Sequence, residues 1–149
     1  MNSGTPDGAT QVDGRLGYLL VRSAMRVRQR YLSQLSTLGL LPNQHVILAT
    51  LHELGPCHQK ELATRIGLDT GDLVTYLDGL HTAGAIERTR DPKDRRRQIV
   101  SLTPEGRTTL ETADRALDIL EGVTFGCFSA TEKALLGEHL ARLYRSLST

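Results

Sequence analysis

The chain is poor in cysteine: among 149 residues only Cys57 and Cys127 carry a thiol. Two distant cysteines build neither a disulfide framework nor a zinc ribbon, so both are expected to be reduced and to behave as small buried hydrophobes. Long apolar runs are missing too. No segment approaches the roughly 20 residues needed to span a bilayer. Residues 1–12 hold Gly, Ser and Thr without the apolar stretch of a signal peptide. A flexible tail over 1–12 and a cytoplasmic protein with no membrane partner are therefore expected. There is no glycine-rich phosphate loop, no Gly-x-Ser-x-Gly elbow and no His-Glu-x-x-His, so the chain reads as a non-enzyme needing no cofactor. Charge of one sign is scarce overall, with 18 Lys and Arg against 17 Asp and Glu, and any basicity that matters must be local.

What is present is concentrated between Gln59 and Leu102. Leu62, Ala63 and Ile66 recur at three and four residues and share one helical face. Gly67 ends that helix, since glycine takes positive φ without a Cβ clash, and Ala63 is small enough for a second helix to cross closely. Asp69 is placed to cap a helix starting at Thr70, with Asp72 adding negative charge near its positive end. Leu73, Leu77 and Leu80, with Tyr76 beside them, form the inward stripe; Thr70, Gly71, Val74, Thr75 and Asp78 fall on other faces. Gly84 closes the helix.

Ile86–Arg90 and Arg97–Leu102 then read as two short strands around a turn opened by Asp91-Pro92. Between Arg88 and Arg97 this hairpin holds Arg88, Arg90, Lys93, Arg95, Arg96 and Arg97 against only Asp91 and Asp94. A charge run is often a solvated face. One on a hairpin directly after a helix-turn-helix lies beside the groove that the second helix would enter, where neutralising phosphates releases counterions.

Three segments, Ala63-Thr-Arg-Ile-Gly67, Asp91-Pro-Lys-Asp-Arg-Arg96 and Val100-Ser-Leu-Thr-Pro-Glu-Gly-Arg107, resemble the MarR family of winged-helix transcriptional regulators, over nearly the whole chain. The wing tip, followed at fixed distance by Leu-Thr-x-x-Gly, is the most specific part. The resemblance implies a homodimeric repressor on a pseudo-palindromic operator in double-stranded DNA. Carried over by position, it implies Arg96 at the minor groove, Asp94 steadying it, and Arg95 near phosphate, within a wing of Arg90, Lys93, Asp94, Arg95 and Arg96. Thr70, Gly71, Asp72, Val74 and Thr75 occupy the recognition-helix positions, of which Thr70, Gly71 and Thr75 usually approach base edges. One departure stands out: from Asp69 to Leu80 there is no lysine or arginine and there are three aspartates. Readout would have to use threonine, aspartate accepting from cytosine N4, or groove shape.

The flanks read as helices. Leu16, Leu19, Leu20, Val27, Tyr31 and Leu35 trace one, and Pro42 opens another with Val46, Ile47, Leu48 and Leu51; both are expected to pack beneath the winged unit. Thr103 and Pro104 start a long helix carrying Leu110, Ala113, Leu117, Leu120 and Thr124 on one side, and Ser129 with Glu132 makes a capping box for a last one with Leu136, Leu140, Leu143 and Leu147. The expected fold is mainly α (α+β): a winged helix-turn-helix over 42–102 and a three-helix dimerisation region from both ends, 13–41 and 103–149. Apolar stripes that the small winged unit cannot cover point to pairing with a second copy.

His45, His52, Glu53, Cys57 and His58 carry metal-ligating chemistry, but His45 and His52 are two helical turns apart, and Cys57 with His58 are expected as a staple and cap at the next helix start. No metal is expected. The resemblance places a small-molecule effector pocket between the first, second and fifth helices, with Arg22, Arg26, His45 and His52 as polar residues that could orient an anionic aromatic ligand; all four also have ordinary solvent-facing readings. Two other functions stay open: a winged-helix module that binds protein, and a ligand-binding protein that no longer reads DNA. Neither needs Arg90, Lys93, Arg95 and Arg96 in one turn.

Overall fold

The structure, a computed structural model, describes residues 14–148; the tail expected over 1–12 lies outside them. Six helices and a small antiparallel sheet run in the order α1 (Leu16–Thr37), α2 (Pro42–Leu54), β1 (Cys57–His58), α3 (Gln59–Ile66), α4 (Thr70–Thr82), β2 (Ile86–Arg90), β3 (Gln98–Leu102), α5 (Pro104–Thr124) and α6 (Ala130–Leu147). The sheet order is β1-β3-β2, with Cys57 opposite Val100 and Ile86 opposite Leu102. This is a winged helix-turn-helix between helical flanks.

One core joins its parts. Ile47, Leu48 and Leu51 of α2, Leu62 of α3, the stripe Leu73, Leu77 and Leu80, and the sheet residues Ile86 and Val100 are all buried. Leu110, Ala113 and Leu117 bring α5 onto the same cluster, as the period of that helix requires. The junction between the wing and α5 is close. Thr103, the N-cap of α5, accepts from Gly106 N at 3.0 Å and donates its hydroxyl to the Gly84 carbonyl at 2.6 Å, while its own N–H bonds Ala85 O at 3.1 Å. Only glycine fits at 106, because a Cβ there would collide with the Ala85 carbonyl oxygen and come within 2.8 Å of Leu102 Cδ1.

The structure corrects four expectations. His58 holds the N-cap position of α3 as expected, but its ring makes no cap hydrogen bond, and with Cys57 it pairs with β3 as a two-residue strand. Arg97 belongs to the turn, since its carbonyl already accepts from Asp91 N and its N–H donates to Asp94 O, so β3 starts at Gln98. Cys127 is exposed in the turn between α5 and α6, while Cys57 is buried and burial raises its thiol pKa. Finally, α1 packs only through its C-terminal half around Tyr31 and Leu35; Leu16 and Leu19 remain 84% and 48% exposed. Likewise α6 has no fully buried side chain within this chain.

Candidate nucleic-acid interface

The helix-turn-helix is built from local signals. Gly67 adopts φ 81°, ψ 28°, and the N–H groups of Gly67 and Leu68 both return to Ala63 O, at 2.9 and 3.0 Å. That turn releases the chain toward Asp69, whose carboxylate accepts from Asp72 N at 2.8 Å and caps α4. The cap hydrogen bond from Asp72 N holds the Asp69 carboxyl below its usual range, while the side-chain hydrogen bond with Asp69, and then the Asp69 charge, raise that of Asp72. With Leu73, Leu77 and Leu80 turned inward, Thr70, Gly71, Asp72 and Thr75 are exposed on the opposite side and Val74 is half-buried. The Thr75 hydroxyl donates to Gly71 O at 3.3 Å, and the residue stays exposed.

The wing is a braced turn. Asp91 N bonds Arg97 O, Asp91 Oδ1 accepts from Lys93 N at 2.9 Å, and Asp94 Oδ1 accepts from Arg96 N at 3.2 Å. Asp94 also receives the Arg96 guanidinium, from Nε at 3.2 Å and Nη2 at 3.4 Å. These bonds to Arg96 hold the Asp94 carboxyl below the usual range. Arg96 nonetheless stays 90% exposed, so the pairing orients a guanidinium that still faces solvent. Arg90 spends its Nη1 on the Arg95 carbonyl at 2.8 Å, tying the strand to the turn. Lys93, Arg95 and Arg97 have no side-chain hydrogen bond among the described residues, leaving a cationic tip available to an anion.

Two contacts at this surface had no signal in the sequence order. His58 Nε2 lies 2.7 Å from Asp91 Oδ2, joining the start of α3 to the root of the wing, and this bond is the main cause of a lowered Asp91 pKa. Arg88 leaves the cationic tip altogether: its Nη1 donates to Asp78 Oδ1 at 2.7 Å, and its Nε and Nη2 lie 3.3 and 3.0 Å from His81 Nδ1.

The four polar residues named for an effector do not meet in one chain. Arg26 lines a hollow of about 350 Å³ with Arg30, Gln34 and Leu120, whereas His52 lines a different one of about 340 Å³ with Pro56, Leu102 and Arg107. His45 is engaged with Asp114 of α5 at 2.8 Å, and Arg22 is exposed on α1. Among the described residues no group of three or more His, Cys, Asp or Glu is placed to hold a metal ion, and no helix is long and apolar enough to cross a membrane.

A family model described as "MarR family" matches residues 40–97, the segment that runs from the end of the α1–α2 turn to the end of the wing turn. The chain is 34% identical over 98 residues to the multiple antibiotic resistance protein MarR of Salmonella typhimurium, an alignment spanning 66% of each protein. It resembles a probable transcriptional regulator from Pseudomonas aeruginosa, at 32% identity and TM-score 0.76, over 89% of this chain and 99% of that one. It also resembles the transcriptional repressor CouR bound to a 23-mer DNA duplex, at 31% identity and TM-score 0.80, over 95% of this chain and 99% of that one.

Proposed function

Since the chain belongs to the MarR family of winged-helix transcriptional regulators, we propose that it is a homodimeric repressor that reads a pseudo-palindromic operator. The observation that carries this reading is the juxtaposition of an exposed cationic wing tip with the exposed side of α4. On this reading Arg95, Arg96 and Lys93 neutralise phosphates or enter the minor groove, with Arg90 and Asp94 holding the tip in shape. Thr70, Gly71, Asp72, Val74 and Thr75 face the major groove. Aspartate accepts from cytosine N4 and the threonine methyl meets thymine, so a helix without cations still has base contacts to make. CouR, the similar repressor solved on a 23-mer duplex, supports duplex DNA as the partner.

The homodimer is supported by the apolar surface that one chain leaves open. Leu140 and Leu143 of α6 are each 38% exposed, and Leu16 and Val21 of α1 more so. A second copy supplies the matching surface at no cost in new sequence. A small-molecule effector, anionic and aromatic, would act by preferring a spacing of the two recognition helices that the operator does not fit. A coupling of about 1–3 kcal/mol would weaken operator affinity by roughly 5- to 150-fold. Arg22, Arg26, His45 and His52 are its proposed polar contacts, with the second protomer completing the pocket that one chain lacks.

Selection of bound sites from random duplexes, alongside sedimentation of the free protein, tests the proposal. A two-fold repeat with centres about 10 bp apart and a dimeric mass are the expected results. Failure to bind any duplex in dilute salt would overturn it, and binding that barely responds to salt would favour a protein partner.

A further inference from the structure

We propose that Arg88 is a positioning residue: without touching DNA, it clasps the recognition helix α4 to the first wing strand and so sets the rotation at which Thr75 and Asp72 meet the bases. The inference rests on the DNA-reading function proposed above and adds a residue that the wing's charge alone would assign to phosphate.

Strand alternation gives Arg88 its direction. Ile86 is buried on the inner face of β2, and Arg88, two residues on, shares that face opposite the buried Val100. Its side chain is 19% exposed, against 90% for Arg96 at the tip. All three guanidinium nitrogens face α4: Nη1 reaches Asp78 Oδ1 at 2.7 Å, while Nε and Nη2 converge on His81 Nδ1. Asp78 and His81 are three residues apart and therefore neighbours on one side of the helix. The other side is held by Leu73, Leu77 and Leu80. Apolar burial is non-directional and leaves the helix some freedom to roll, whereas a guanidinium fork bonded at both ends selects one orientation.

The clasp also fixes which atoms do what. Arginine has no acceptor, so His81 Nδ1 takes the accepting side of both contacts, at 3.3 and 3.0 Å.

The test compares wild type, Arg88→Gln, His81→Gln and His81→Leu on a selected operator and on a random duplex, across a salt series at one fixed pH. For Arg88→Gln the operator-over-random ratio is expected to fall roughly tenfold, equivalent to about 1.4 kcal/mol, with random-duplex affinity and its salt slope unchanged. His81→Gln, whose Oε1 can accept, should hold its ratio, and His81→Leu, which cannot, should lose it as Arg88→Gln does. A salt slope reduced by about one would make Arg88 a phosphate contact and overturn the proposal. So would an unchanged ratio, or equal losses on both duplexes. If Arg88→Gln does not fold, the His81→Leu and His81→Gln pair decides alone, and equal ratios in the two refute the clasp. Wild type that binds no duplex would instead sink the DNA-reading function itself.

Discussion

Replacing Thr103 with valine removes one hydroxyl from the place where the recognition helix, the sheet and α5 meet. That hydroxyl does two things: it accepts from Gly106 N to cap α5, and it donates to the Gly84 carbonyl in the turn that ends α4. Loss of an N-cap costs about 1 kcal/mol. A part-buried carbonyl deprived of its donor adds about 1–3 kcal/mol. Thr103 is itself only 9% exposed, so water reaches the vacated position poorly, and the two losses should together approach about 2–4 kcal/mol. Thr103→Ser keeps both bonds and gives up one methyl, worth about 1 kcal/mol. The measurement is equilibrium urea unfolding of wild type and both variants at one fixed protein concentration, because the proposed self-association would make stability depend on concentration. With a urea m-value of about 2 kcal/mol per M, the valine variant should unfold roughly 1–2 M earlier and the serine variant within about 0.5 M of wild type. A valine midpoint no lower than the serine midpoint would show that the hydroxyl contributes nothing beyond its shape, and would refute the reasoning.

The same geometry sets other outcomes. Arg96→Ala should weaken binding to every duplex and reduce the salt slope by about one, whereas Thr75→Ala should change which operator is preferred; filter binding over a salt series separates the two, and an undiminished slope in the first would remove Arg96 from the phosphate contact. Gly106→Ala forces a Cβ against the Ala85 carbonyl; despite better helix propensity it should destabilise by about 2 kcal/mol or more, read by thermal unfolding, and a neutral result would mean that the close approach relaxes freely. Asp91 has a folded pKa depressed mainly by its hydrogen bond from His58, so its contribution is present above the ordinary aspartate value near about 3.9 and is lost as pH falls through the lower folded value. Urea midpoints measured below about pH 4 should therefore drop less steeply in Asp91→Asn than in wild type; identical acid limbs would contradict the shift.

Local patterns made much of this molecule legible. The spacing of Leu73, Leu77 and Leu80, the glycine at 67 and the Ser129 and Glu132 box act over three or four residues, and the structure keeps them. Less visible was whatever needs a partner far along the chain. Cys57 and His58 are too short a run to announce a strand and become one only because β3 offers an edge. Arg88 counts as one more cation of the wing until strand register turns it toward Asp78 and His81. The two leucine-rich terminal helices looked alike in periodicity, yet periodicity does not say whether the covering surface belongs to the same chain.

Helices in proteins draw most of their stability from packing an apolar face, and α6, 18 residues long, has no side chain fully buried by its own chain. In the proposed homodimer its order would come from meeting a sibling, which is a second-order event. On that proposal cellular abundance becomes an input to control: at low copy number a freshly synthesised chain keeps its wing and its core, but would leave an operator empty until a counterpart arrives.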